Sequence, residues 1–159
     1  MDKPLRPGQP IPSRLVVGRT KGQAWFGLLA PLLVLCVYWY LTLRRPQSDY
    51  IFPALFTISN VLSFFSTLTS GQPRRFTVNF DDRTYEDVSG WGKPRVETGR
   101  LDEMNGLKFE PAFIGRYVTL SKWVGSSPPI GHAGFSQDQQ ARLVADLGAA
   151  TGLGTLDPM

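Results

Sequence analysis

A single cysteine, Cys36, and a single histidine, His132, occur among 159 residues. One thiol cannot close an intramolecular disulfide, so the chain has no internal disulfide framework. One thiol and one imidazole do not make a nitrogen–sulfur ligand set for zinc or a related ion. Charge is missing as well, but only locally: residues 24–43 and 50–73 contain no Asp, Glu, Lys or Arg. Neither stretch holds a histidine, which excludes histidine ligation of a haem or chlorophyll by these segments. Cys36 lies inside the first stretch and reads as a small hydrophobe.

The excess of basic residues is also uneven. The formal charge of +4 comes from the first 23 residues, where Lys3, Arg6, Arg14, Arg19 and Lys21 face Asp2 alone. From residue 71 onward ten Lys/Arg meet eleven Asp/Glu. The pI of about 9.5 therefore describes the N-terminal segment. A nucleic-acid-binding domain needs a basic face of its own, and that class is set aside.

The first uncharged run, Ala24 to Leu43, has the length of a membrane span: twenty residues at about 1.5 Å each reach roughly 30 Å. Trp25 marks one interface. Tyr38, Trp39 and Tyr40 mark the other, followed by Arg44 and Arg45, an aromatic belt with a charged stop. Pro31 is expected to kink this helix. The run starts too late and is too long for the apolar region of a signal peptide. A buried core helix would need far more chain around it.

The second run, residues 50–68, interleaves Phe and Leu with Thr57, Ser59, Asn60, Ser63, Ser66 and Thr67. Small hydroxylated residues on one stripe suit close helix–helix packing in lipid. Ser59, Asn60, Ser63, Ser66 and Thr67 are thus candidate contacts, either with the first helix or with a neighbouring membrane subunit. The connection Arg44 to Asp49 is short enough to force an antiparallel hairpin. The N-terminal segment and Arg74–Arg75 outweigh the connection in basic residues. The positive-inside rule then places the N-terminus and the C-terminal domain in the cytoplasm, with the hairpin in the inner membrane.

After Gly71-Gln-Pro73 the pattern turns to alternation. Phe76, Val78 and Phe80 define a strand, Asp81-Asp82-Arg83 a turn, and Thr84 to Val88 a returning strand. A third stretch spans about Val96 to Phe109 with a break at Asn105-Gly106, and Ile114 to Trp123 is the strongest strand. Gly125 to Pro129 reads as a turn and Ile130 to Phe135 as a short last strand. Ser136-Gln-Asp-Gln139 has the form of a capping box, opening an amphipathic helix that carries Ala141, Leu143, Val144 and Leu147 and stops near Gly148. The expected organisation is an extended basic tail (1–23), a transmembrane hairpin (24–70), an α+β domain of five or so antiparallel strands with one helix (71–150), and a flexible tail (151–159). Alone, the N-terminal tail has no core and is expected to be disordered or to lie on anionic headgroups.

Chemistry is sparse. Asp81-Asp82 sits in a turn, where aspartate is favoured for backbone reasons, and Asp102-Glu103 are neighbours that point apart on a strand. Gly152-Leu-Gly154 lacks the strand before and the Gly-Lys-Ser/Thr of a phosphate loop. No catalytic or metal site is expected, and no cofactor is held through the chain's own ligands. Lipid or pigment contacts would be peripheral.

An uncharged two-helix hairpin, then residues 74–85, Leu101-Asp-Glu-Met104, the Tyr117–Trp123 strand, Gly134-Phe135 and a capped helix together resemble small bacterial membrane proteins with a pleckstrin-homology-like domain. The layout is similar to that of photosystem assembly proteins. The resemblance implies a partial barrel, since the strands are too few for a full one. It also implies a non-catalytic accessory or assembly subunit of a photosynthetic or respiratory membrane complex, with other integral membrane subunits and the bilayer as partners. The alternative is a membrane-anchored lipid- or peptide-binding sensor.

Overall fold

The computed structural model describes residues 3–44 and 51–156. Its elements in order are β1 (Arg14–Arg19), α1 (Lys21–Leu43), α2 (Ile51–Ser70), β2 (Arg74–Asn79), β3 (Thr84–Ser89), β4 (Arg95–Arg100), a 3-10 turn (Leu101–Glu103), β5 (Gly106–Pro111), β6 (Arg116–Ser121), β7 (Ser126–Ala133) and α3 (Gln137–Thr151). Two compact units result. One is the helical hairpin with the Gly90–Gly92 turn, and the other holds the sheets and α3.

In the β unit a four-stranded sheet runs β1-β2-β3-β4 and a three-stranded sheet runs β5-β6-β7. Phe76 and Val78 alternate with Thr77 and Asn79, so one face of β2 supplies apolar side chains. The chain crosses between sheets after β4 through the Leu101–Glu103 turn, whose Leu101 is fully buried. The expected single stretch from Val96 to Phe109 is therefore two strands in different sheets. The core gathers Phe76, Val78, Leu101, Leu107, Val118, Leu120 and Ile130 from both sheets with Leu143 and Leu147 of α3. Leu143 and Leu147 lie over Gly131 of β7, where an added Cβ would come within 3.1 Å of Leu147.

The largest departure from the expected architecture is N-terminal. Residues 14–19 form β1, and Leu5, Leu15 and Val17 are buried in the core. Leu5 also bonds to β7: its amide donates to Ile130 O at 3.0 Å, and the His132 amide donates to Leu5 O at 2.6 Å. Opposite, Leu107 donates to Gly154 O at 2.8 Å and Leu156 to Leu107 O at 2.9 Å. Each edge of the three-stranded sheet is thus bonded at one point, by the segment at Leu5 and by residues 154–156, which shortens the open template for further strand pairing. The expectation that residues 151–159 form a flexible tail is corrected for residues 154–156. Residues 157–159 lie outside the described set. β7 starts at Ser126, inside the expected turn, and its Pro128 and Pro129 sit in the irregular stretch where the pairing with β6 shifts.

Helix ends follow local chemistry. Thr20 and Gln23 form a reciprocal capping box at the start of α1. At Ser136 only half of the expected box forms: Gln139 N donates to Ser136 Oγ at 3.2 Å, and the return bond is absent. α3 continues past Gly148 to Thr151 and ends on Gly152, whose φ of 71° is the left-handed cap that glycine adopts without strain. Arg83, itself at φ 53°, donates from Nη2 to Thr151 O at 3.1 Å and so caps the carbonyl end of this helix.

In the helical unit, Lys21–Leu43 and Ile51–Ser70 are long and apolar enough to cross a membrane. Only 11% and 6% of their apolar windows are buried, so neither helix is wrapped by the rest of the described chain.

Candidate functional site

Two regions concentrate polar side chains where apolar ones would be ordinary. The first is at one end of the paired sheets. Cross-strand register puts Phe76 of β2, Asp87 of β3 and Glu97 of β4 in a row. Lys122, one residue past β6 in the other sheet, reaches between the sheets to Asp87 Oδ2 at 3.3 Å and Glu97 Oε1 at 3.1 Å. Arg74 grips both oxygens of the same Asp87, with Nε to Oδ1 at 2.8 Å. The Tyr85 hydroxyl reaches Glu97 at 3.3 Å, and the Lys122 ammonium lies 4.8 Å from the Tyr85 ring centre.

The Lys122 and Asp87 side chains are only 9% and 6% exposed, so these charges are held by one another and not by water. Burial would raise the Asp87 pKa, but the hydrogen bonds and charge of Arg74, with those of Lys122, outweigh it and hold the carboxyl below its usual value. Burial first, then the Glu97 charge, pushes the Tyr85 phenol up. With two cations and two carboxylates mutually satisfied, this group ties one sheet to the other and leaves no unpaired base or nucleophile at its centre.

The second region is the hairpin. α1 and α2 pack along Tyr38, Trp39, Phe56, Thr57 and Asn60: the Tyr38 and Phe56 ring centres are 4.2 Å apart, and Trp39 Nε1 donates to Thr57 Oγ1 at 2.9 Å. Thr67 approaches Gly27, where a Cβ would be 3.6 Å from its methyl. Asn60 is half-buried and donates to the Phe56 carbonyl one turn back at 2.9 Å. Ser59, Ser63 and Ser66 are exposed. The five candidate contacts therefore divide: Asn60 and Thr67 are partly covered within the hairpin, and the three serines face outward. Tyr38 and Trp39 are half-buried against α2, Tyr40 is exposed beneath the Arg44 guanidinium at 4.4 Å, and Trp25 meets Trp91 edge-on at 5.4 Å. Trp91 also donates to Leu68 O at 3.0 Å. Arg45 and the rest of the connection to Tyr50 lie outside the described residues.

The remaining candidates are occupied locally. His132 Nε2 is 3.2 Å from Ile114 O, with its ring edge-on to Tyr117. Asn79 Oδ1 accepts from the Asp81 amide at 3.2 Å and the Asp82 amide at 3.4 Å, closing the turn. Asp102 pairs with Arg83 at 2.7 Å and Arg100 at 3.2 Å. Among the described residues no group of three or more His, Cys, Asp and Glu side chains is placed to hold a metal ion. A shallow concavity of about 420 Å³ is lined by Arg6, Pro7, Ile114, His132, Phe135 and Gln139.

Sequence reasoning missed the Arg74–Asp87–Lys122–Glu97 group, because its members are far apart in sequence and each looks like an ordinary strand charge. The one available signal was Lys122 in a strand that otherwise alternates. Compared with known proteins, the chain matches no family model, no curated protein and no solved structure.

Proposed function

We propose that this chain is a multi-pass membrane protein that serves as a non-catalytic accessory or assembly subunit of a larger membrane complex, its hairpin in the bilayer and its β unit in the cytoplasm. The observation that carries this reading is the outward serine edge of α2. Thr57 is used within the hairpin, whereas Ser59, Ser63 and Ser66 are left facing away from it. In lipid such an edge favours a neighbouring helix that can approach closely and exchange hydrogen bonds.

The β unit supports the second half of the reading. The seven strands, in a four-stranded and a three-stranded sheet followed by a C-terminal helix, are more than the five or so expected and support a pleckstrin-homology-like reading, with the hairpin inserted between the first two strands. Such a framework presents surfaces for docking. The basic residues Arg19, Lys21, Arg74 and Arg75 flank the hairpin's two ends, which supports a cytoplasmic β unit.

A photo-crosslinking residue at Ser63 in native membranes tests the assignment. Protein adducts at Ser63, with lipid adducts alone at Leu33 on α1, are expected. Lipid adducts alone at both positions, together with a monodisperse free monomer in mild detergent extracts, would remove it. The alternative of a peptide-binding sensor draws on the concavity beside Ile114 and Phe135, which has Arg6 and no carboxylate in its lining.

A further inference from the structure

The β6–β7 turn carries two of the most exposed apolar side chains of the β unit. Trp123 is 84% and Val124 89% exposed, directly after a lysine whose side chain is 9% exposed. Together they form a small apolar tip that is uncovered among the described residues and open to an occupant. Three observations within the chain identify it.

The first is connectivity. Lys122 is bonded to Asp87, which Arg74 also grips, so the turn lies at the end of the sheets where β2 begins. Only Gly71 to Pro73 separate β2 from α2, and that link spans at most about 14 Å. At the same end β1 leads into α1: Gly18, with φ 142°, sits so close to Arg74 that an added Cβ would fall 2.0 Å from its carbonyl oxygen. Both chain crossings to the hairpin thus leave the sheets at the end that carries Trp123.

The second is charge. Arg74, Arg75, Lys93 and Arg95 cluster at this end, and Lys93 and Arg95 are exposed with no ion-pair partner among the described residues. At the opposite end Asp81, Asp82, Asp102 and Glu103 stand with Arg14, Arg83 and Arg100, and Asp102 pairs with both Arg83 and Arg100. The near-zero charge of the β unit thus conceals one end where exposed basic side chains stand outside the ion pairs. That end suits anionic headgroups.

The third is the β3–β4 turn, whose Trp91 lies against Leu68 O and Trp25 near the ends of the two apolar helices. Tryptophan at that level is what a membrane–water interface selects.

We infer that the Trp123–Val124 turn inserts into the headgroup region of a phospholipid bilayer. The occupant is a phospholipid interface with an anionic component. Lys122 is tied back among Asp87 and Glu97, which keeps its charge out of the inserting tip. This inference rests on the transmembrane reading of the hairpin.

The test uses the full chain with Cys36→Ala, reconstituted in nanodiscs of phosphatidylcholine and phosphatidylglycerol. An environment-sensitive fluorophore is attached to a single cysteine in each of three variants: Val124→Cys, Phe113→Cys and Leu33→Cys. Phe113 is a fully exposed tip at the other end of β6 and reports a water-facing turn. Val124 is expected to show blue-shifted emission, quenched several-fold more strongly by lipids spin-labelled near the headgroup than Phe113 is. The difference should shrink when phosphatidylglycerol is omitted. Emission at Val124 as aqueous as at Phe113, with Leu33 quenched by deep spin labels, would overturn the docking and leave the hairpin reading intact. An unquenched Leu33 would overturn both.

Discussion

Replacing Asp87 with asparagine keeps the shape of the side chain and removes its charge. Arg74 then loses a two-point partner, and Lys122, 9% exposed, keeps only Glu97, which is 45% exposed. Breaking a buried ion pair from one side costs about 3–5 kcal/mol, because the surviving charge stays out of water. Glu97 still serves Lys122 and Arg74 is 29% exposed, so the lower end, about 3 kcal/mol, applies. For a domain of this size that lowers the midpoint of thermal unfolding by about 12–24 °C.

The assay is thermal unfolding of the full chain in mild detergent, followed by near-ultraviolet circular dichroism. A cycle with Lys122→Met should give a coupling of about 0.5–3 kcal/mol, since the double variant no longer buries the lysine charge. The pH dependence supplies a second readout. The folded carboxyl binds its proton less readily than the unfolded chain does. Its contribution is complete above the unfolded pKa of about 3.9 and is lost as pH falls through the lower folded value. Asp87→Asn should lack that part of the acid destabilisation. A variant within about 0.5 kcal/mol of the parent, the range of ordinary surface changes, with zero coupling to Lys122, would refute the view that these charges tie the sheets together.

Other changes probe separate parts of the structure. Val17→Asp should prevent the β unit from folding, read as loss of protease resistance from residue 74 onward; a tail lying only on headgroups would tolerate it. Leu147→Ala should cost about 2–5 kcal/mol, because this fully buried side chain fills the space over Gly131. Gly152→Ala should cost about 1 kcal/mol or more, since it combines a left-handed backbone with a Cβ that would fall 2.0 Å from Arg83 Nη2; Arg83→Ala in the same background should recover the steric part. Tyr85 favours its neutral phenol in the folded chain, so its contribution is complete below about pH 10 and lost as pH rises through the higher folded value. Comparison of alkaline difference spectra with Tyr85→Phe isolates that titration.

Much of this protein was legible as sequence wherever a single segment carried the signal. Two uncharged runs of helical length announce themselves because a span must be apolar throughout, whatever surrounds it. The Phe76–Phe80 alternation, the Asp81–Arg83 turn and the stripe of α3 follow from backbone periods and turn chemistry. The α1 cap is equally local, in Thr20-Lys-Gly-Gln23, although it lies in a basic segment with no other helix signal.

What only the tertiary structure decided are the features that need a distant partner. Arg14–Arg19 is a six-residue strand with a three-residue apolar run, Leu15 to Val17, too short to fold by itself. It becomes a strand because β2, some fifty-five residues later, offers it an edge. Lys122 becomes an internal clamp because Asp87 and Glu97 meet it from the other sheet. The serines of α2 become an outward edge once Trp39 and Tyr38 claim the opposite face. Sequence alone determined which segments can be helix, strand or span, because those choices are set by local period and solvation. Which face is covered, which charge is buried and which terminus bonds a sheet edge depend on residues brought together only by the fold.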